Sequence, residues 1–89
     1  MLERDVEAYL YKQVLARGGL IRKVMWVGRR GAPDRVVMMP GGSITWIELK
    51  RPGAKPDAHQ TREHARMRDM GQTVCVLDSV DAVNTWMEG

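Results

Sequence analysis

The fold is decided by the stretch Gly31-Ala-Pro-Asp34-Arg-Val-Val-Met-Met-Pro-Gly-Gly-Ser-Ile-Thr-Trp-Ile-Glu48-Leu-Lys50. Two apolar segments rich in β-branched residues flank residues 40–42, a proline and two glycines of the kind found in tight turns. This pattern predicts a β-hairpin, with one strand over residues 35–39 and the next over residues 43–50. Because so short a turn leaves no room for a crossover, the two strands must be antiparallel.

The turn also predicts which residues lie opposite each other in the hairpin. If residues 40–42 form the turn, Met39 lies opposite Ser43, and counting back along both strands places Asp34 opposite Glu48. Directly opposed residues have Cβ atoms about 4.5–5.5 Å apart. The sequence therefore predicts two adjacent carboxylates at one end of an otherwise apolar hairpin.

This carboxylate pair needs a positive charge beside it, because two ionised carboxylates at contact distance repel each other. Lys50 lies on the same face as Glu48, since side chains alternate along a strand, and a divalent cation neutralises the pair more completely. Carboxylate oxygens suit Mg²⁺ or Mn²⁺, which could support metal-assisted phosphodiester hydrolysis, with Lys50 orienting the water or stabilising the pentacovalent state. From spacing alone, an ion-pair cluster without a catalytic role is the alternative.

The flanking sequence predicts the elements around the hairpin. Apolar residues recur every four positions up to Gly18-Gly19, which ends a first helix, and Asp57 is typical of an N-cap that begins a second. A strand that follows a helix returns parallel by a right-handed crossover. We therefore expect one α/β domain over residues 1–89, with a mixed four-stranded sheet flanked by helices in the order αβββαβα. The other predicted bounds are helices over 2–17, 58–70 and 79–87 and strands over 20–27 and 73–77.

The charge distribution favours a nucleic-acid partner. The net charge is +3, and residues 22–66 carry ten bases and four acids. Such a cluster is typical of a phosphate-binding surface, although a solvated basic surface gives the same count. Arg29 and Arg30 flank the carboxylate pair and could clamp phosphates or merely keep a loop in water. Trp26, at the end of the first predicted strand, could stack on a base, but core packing is favoured.

The length and hydropathy of the chain bear on its oligomeric state and on whether it enters a membrane or is secreted. A chain of 89 residues buries a modest share of its surface, which makes a homo-oligomer plausible. No apolar run approaches the roughly 20 residues that cross a bilayer, and the N-terminus lacks the order of a secretion signal. We therefore expect an intracellular protein that does not enter a membrane.

Three polar residues on the predicted helices are further candidates. Glu7 lies at the edge of the apolar stripe of the first helix, where it could add a metal ligand or be an ordinary exposed acid. Gln60 follows Asp57 at capping-box spacing and could combine capping with a role in the site. His59 and His64 are interpreted as surface residues.

These residues resemble a known superfamily of nucleases. Pro-Asp34, a strand and turn, Glu48-Leu-Lys50 and then a helical Gln60 are similar to the PD-(D/E)XK, or restriction-endonuclease-like, superfamily. More narrowly, Gly28-Arg-Arg-Gly31-x-Pro-Asp34-Arg35 followed by Glu48-Leu-Lys50-x-Pro and Gln60 resembles the VRR-NUC family. The resemblance covers nearly the whole chain and includes the superfamily's core order of helix, three strands, helix and strand.

The resemblance implies roles for individual residues. Asp34 and Glu48 would hold Mg²⁺ or Mn²⁺ together with the backbone carbonyl of Leu49, and Lys50 would be the catalytic lysine. Glu7, with Glu3 as the alternative, would be the helical acid that completes the metal site, and Gln60 would have a positioning role. The bases expected to bind DNA are Arg29, Arg30, Arg35, Arg51 and Lys55.

The function implied by the resemblance is a metal-dependent endonuclease for branched DNA. Stand-alone members look like phage or bacterial proteins, similar to Holliday junction resolvases in forming homodimers, and would act in the cytoplasm of a bacterial or phage-infected cell. The alternative is a non-catalytic DNA-binding module on a nuclease fold, which would bind with or without metal. The intact acids argue against it, because carboxylates near phosphate require a cation. Nothing in the chain specifically supports a toxin-like or other interaction protein.

Overall fold

Residues 1–89 are described by the structure, a computed structural model, and form seven elements. Their order is the predicted one, and the α/β class with flanking helices is confirmed. No helix is long and apolar enough to cross a bilayer. The elements are α1 (Glu3–Ala16), β1 (Leu20–Lys23), β2 (Arg35–Met38), β3 (Ile44–Leu49), α2 (Ala58–Asp69), β4 (Val74–Leu77) and α3 (Val80–Glu88).

The sheet is mixed and its strands lie in the order β1-β2-β3-β4. β2 is antiparallel to β1 and β3, and β4 returns through α2 to lie parallel to β3. Val36 lies opposite Trp46, and Arg35 lies opposite Ile47. This is the register predicted from the turn, and one further step brings Asp34 opposite Glu48.

The first strand is shorter than predicted: it ends at Lys23, whereas the sequence predicted an end at Val27. The Val24 N–H still donates to the Asp34 carbonyl at 2.9 Å. The next hydrogen-bonded pair of this ladder would join Trp26 to Ala32, but no such bond forms, and the Trp26 indole N–H donates to Glu63 of α2. The chain therefore leaves the sheet here, and Met25 and Val27 are 83% and 97% exposed.

The two faces of the sheet differ in chemistry. α1 and α3 cover one face, where buried aliphatic side chains from both helices and all four strands form the core. α2 covers the other face, which carries Trp46 and Glu48 and contacts Gln60 and His64 of the helix. The core members are Val6, Leu10, Val14, Ile21, Val37, Ile47, Leu49, Leu77 and Val83. The apolar face stabilises the fold, and the polar face is where a functional site can form.

Candidate active site

Asp34 and Glu48 lie side by side where β2 begins and β3 ends. The Asp34 Oδ2 atom accepts the Leu49 N–H at 2.8 Å. Glu48 points from the polar face of the sheet and is only 1% exposed. The hairpin register thus brings together the two carboxylates that the sequence singled out.

Pro33 limits the backbone hydrogen bonds between β2 and β3 beside the Asp34 and Glu48 carboxylates. The Met39 N–H donates to the Ser43 carbonyl, so the hydrogen-bonded pairs of this ladder involve the odd-numbered residues, and the next such pair is Leu49 with Pro33. Pro33 has no N–H, so the Leu49 carbonyl has no backbone donor from this partner. The Leu49 N–H bonds to the Asp34 carboxylate, and the Leu49 carbonyl faces the same side of the strand.

The Glu48 carboxylate is surrounded by polar groups that only partly satisfy it. Its Oε2 atom accepts from Gln60 Nε2 at 2.9 Å and lies 3.5 Å from Lys50 Nζ. Its buried Oε1 atom has no hydrogen-bond partner and lies 3.7 Å from His64 Nε2, which also has none. Burial first, and then the negative charge of Asp34, raise the pKa of Glu48 from 4.5 to about 8. Near neutral pH the pair therefore keeps one proton unless a cation is present.

Gln60 has two roles at once, as its position in the sequence suggested. Its Oε1 atom accepts the Asp57 N–H and its Nε2 atom donates to Glu48, both at 2.9 Å. Asp57 in turn accepts the Gln60 N–H, which completes the capping box. The start of α2 and the orientation of Glu48 are therefore fixed by one amide side chain.

His64 was wrongly predicted to be a surface residue. It is 1% exposed, one helical turn after Gln60, and faces Glu48. Burial, and then the positive charge of Arg68, lower the pKa of its imidazole, so the contact with Glu48 joins two largely uncharged groups near neutral pH. Its spacing of four residues from Gln60 was the available signal, because it places both side chains on one helix face.

The structure does not bring Glu7 to the carboxylate pair. Its Oε2 atom lies 2.5 Å from Arg35 Nη2, and it makes no hydrogen bond with Asp34 or Glu48. Arg35, expected to bind DNA, is 8% exposed and also bonds to the Tyr11 hydroxyl and the Asp34 carbonyl. It therefore ties α1 to β2, and its expected role in binding DNA stays a prediction. No cluster of three or more acidic, histidine or cysteine side chains is placed to hold a metal ion.

The other bases expected to bind DNA differ in their partners. Arg29 is ion-paired to Glu63, with Nε 3.4 Å from Oε1, and Arg30 contacts the His59 ring. Arg51 and Lys55 are exposed on the loop after β3 and have no carboxylate within ion-pair distance.

Glu63 attaches the loop between β1 and β2 to α2. This buried carboxylate accepts from Trp26 Nε1 at 2.7 Å and from Arg66 Nε at 3.0 Å. The hydrogen bond from Arg66 is the main reason that the pKa of Glu63 is lowered. The Trp26 ring packs on Trp46, with centroids 5.9 Å apart, so packing is its structural role.

The candidate site is a surface and not an enclosed cavity. A cavity of about 410 Å³ lies on the opposite face, lined by residues that include Met39, Thr45 and Trp86, and contains neither carboxylate. An open site beside a basic loop suits an extended substrate better than a small enclosed one.

This chain is similar to known proteins, although no family model matches it. "Putative nuclease p44" of Acyrthosiphon pisum secondary endosymbiont phage 1 is 47% identical over 79 residues, which cover 89% of this chain and 85% of that protein. A solved structure described as a VRR_NUC domain superposes with a TM-score of 0.91 at 42% identity, covering 97% of this chain and 94% of the other.

Proposed function

The chain belongs to the VRR-NUC nuclease family, and from that premise we propose that it is a metal-dependent endodeoxyribonuclease acting on branched DNA as a homodimer. The observation that carries the proposal is the pair Asp34 and Glu48 beside Lys50 at one open end of the sheet. A two-fold dimer offers two such sites to opposing strands, as a Holliday junction resolvase requires.

The residues present fit a hard divalent cation such as Mg²⁺ or Mn²⁺. Asp34, Glu48 and the Leu49 carbonyl would hold it, and the buried Glu48 Oε1 atom has no other partner. The raised pKa of Glu48 supports this, because a cation is what allows both carboxylates to ionise. When bound, the ion neutralises charge on the scissile phosphate and lowers the pKa of a bound water.

The side chains around the carboxylates would orient Glu48, donate hydrogen bonds to water or phosphate, and add positive charge. Gln60 holds Glu48 Oε2 and so fixes the direction of the carboxylate. Lys50, 19% exposed, can donate to a water or a phosphate oxygen at the surface of the site. Arg51 and Lys55 add positive charge on the loop that follows.

Cleavage of labelled four-way junction, flap and linear duplex DNA with Mg²⁺ or Mn²⁺ tests the proposal. We expect the wild type to cut the junction at paired positions and to be inactive in EDTA. Lys50→Ala should cut about 10²–10³-fold more slowly, and Asp34→Ala should not cut, while both still bind DNA. Lys12→Ala, an exposed lysine on α1, is the matched control and should cut normally. Binding without cutting in either metal would instead support the non-catalytic DNA-binding alternative.

A second prediction concerns the helical acid, for which Glu7 and Glu3 are the candidates. Glu7 is already neutralised by Arg35, whereas Glu3 is exposed in the first turn of α1 and has no basic partner. α1 runs opposite to β1, so its N-terminus lies at the end of the sheet that carries Asp34. These features support Glu3.

We expect Glu3→Gln to lower the cleavage rate about tenfold without changing the melting temperature. Glu7→Gln should lower the melting temperature, because it leaves the buried Arg35 guanidinium without its carboxylate. Parallel cleavage and thermal unfolding assays separate the two effects. A loss of cleavage confined to Glu7→Gln at unchanged melting temperature would assign the role to Glu7.

A further inference from the structure

The imidazole of His59, the second residue of α2, lies between two arginine side chains. Its Nε2 atom is 3.2 Å from Arg30 Nη1, and its Nδ1 atom is 3.2 Å from Arg62 Nη2. A neutral imidazole has one acceptor nitrogen and a protonated imidazole has none. His59 therefore cannot accept from both guanidinium groups in either state, and at least one of them has a donor that the imidazole leaves free for another acceptor.

The acids of this region do not compensate the two arginines. Glu63, the nearest carboxylate on this helix, is ion-paired to Arg29 and Arg66 and bonded to Trp26. Neither Arg30 nor Arg62 has a carboxylate within ion-pair distance. The N-cap carboxylate of Asp57 accepts the Gln60 N–H in the first turn of α2 and is not ion-paired with either arginine.

The cluster is held in place by the packing beneath it. Gly31 packs so tightly that an added Cβ would lie 2.5 Å from the His59 carbonyl oxygen, so the loop that carries Arg30 contacts the first turn of α2 directly. Glu63 bonds to Trp26 and so anchors the same loop a few residues earlier. The backbone that carries Arg30 is therefore held against the turn that carries His59, which places the exposed guanidinium groups on one surface.

We propose that Arg30, His59 and Arg62 form a binding site for one backbone phosphate of a DNA strand, next to the candidate active site. A phosphate offers several acceptor oxygens to guanidinium donors, which is what this donor-rich cluster lacks. Gln60, the next residue after His59, bonds to Glu48, so a strand held on the cluster passes close to the carboxylate pair. This inference rests on the proposed function and names where the substrate is held.

Two single variants and a charge-matched control test the site. Arg30→Gln and Arg62→Gln each remove one charge from the cluster, and Arg4→Gln removes one from α1, which lies on the opposite face of the sheet from α2. Affinity for fluorescein-labelled duplex DNA is measured over a NaCl series, with Ca²⁺ in place of Mg²⁺ and the DNA checked for cutting. We expect each cluster variant to weaken binding about 5–10-fold and to reduce the slope of log K against log [NaCl] by about one. Arg4→Gln should change neither.

Single neutral methylphosphonate linkages then locate the phosphate. One linkage should weaken wild-type binding about tenfold and have no further effect on Arg62→Gln, because that contact is already lost. If both cluster variants behave like Arg4→Gln, the proposed site is overturned. It is also overturned if every linkage that weakens wild-type binding weakens Arg62→Gln binding by the same factor.

Cleavage of the same duplex and of a junction by the wild type with Mg²⁺ is measured in parallel. If the cluster variants bind DNA more weakly with a smaller salt dependence while the wild type never cuts, the phosphate site stands and the nuclease proposal fails. If the wild type cuts and the cluster variants match the control, the nuclease proposal stands and the phosphate site fails.

Discussion

Glu48→Gln is expected to abolish DNA cleavage and at the same time to stabilise the metal-free protein. The folded protein holds a proton on Glu48 up to about pH 8, whereas the unfolded chain releases it near 4.5. Between these values the unfolded state binds fewer protons, so the free energy of unfolding falls as pH rises and levels off above pH 8. A glutamine side chain has nearly the shape of the protonated acid and does not titrate, so the free energy of unfolding of the variant lacks this decrease with pH.

The gain should be nearly absent at pH 4 and on the order of 4 kcal/mol at pH 8, because the pKa rises from 4.5 to about 8 on folding and one pKa unit corresponds to about 1.4 kcal/mol. Urea unfolding in EDTA at pH 4, 6 and 8 measures it, with Glu88→Gln, an exposed carboxylate, as the control. Mg²⁺ should stabilise the wild type and not Glu48→Gln, and cleavage should fall by about 10³-fold or more, since a metal ligand is lost. If the variant is less stable than the wild type at pH 8, the description of Glu48 as a buried, protonated acid is wrong.

Gly31→Ala is expected to be the most disruptive change in the loop between β1 and β2. Gly31 has a φ of 94°, and an added Cβ would lie 2.5 Å from the His59 carbonyl oxygen and 2.9 Å from the Glu63 Cβ. Neither atom can move unless the loop or the first two turns of α2 move. We expect a loss of about 3 kcal/mol in the free energy of unfolding, from a total of roughly 5–15 kcal/mol, together with weaker DNA binding and slower cleavage.

Gly28→Ala is the matched control for this prediction. Gly28 has a φ of 75° in the same loop, but an added Cβ meets nothing within 4 Å. Its substitution should therefore show only the conformational cost of a left-handed alanine, about 1–2 kcal/mol, with cleavage nearly unchanged. Equal losses in the two variants would mean that the contact between Gly31 and α2 does not hold the loop.

The hairpin could be predicted from the sequence because its determinants are local. The turn at residues 40–42 fixes the register, and the register places Asp34 beside Glu48. The capping box of Asp57 and Gln60 is likewise a short-range pattern. These features depend on neighbours in the chain and do not depend on how the helices pack.

The features that the sequence did not reveal depend on tertiary packing. His64 is buried because α2 lies over β3, and hydropathy gives no sign of this for a histidine. The early end of β1 accompanies the hydrogen bond from the Trp26 indole to Glu63 of α2, which joins residues distant in the sequence. Arg35 is the exception, because its alternation with Val37 placed it on the core face, and that signal was present in the strand pattern.

The contact between Trp26 and Trp46 gives the protein an optical reporter. The two indole rings lie 5.9 Å apart with their planes inclined by 60°, close enough for their electronic transitions to couple. Trp26 belongs to the loop after β1 and Trp46 belongs to the sheet, so the coupling exists only while the loop is docked. Near-ultraviolet circular dichroism can therefore follow loop undocking in an unlabelled protein, with Trp86 on α3 as a constant background.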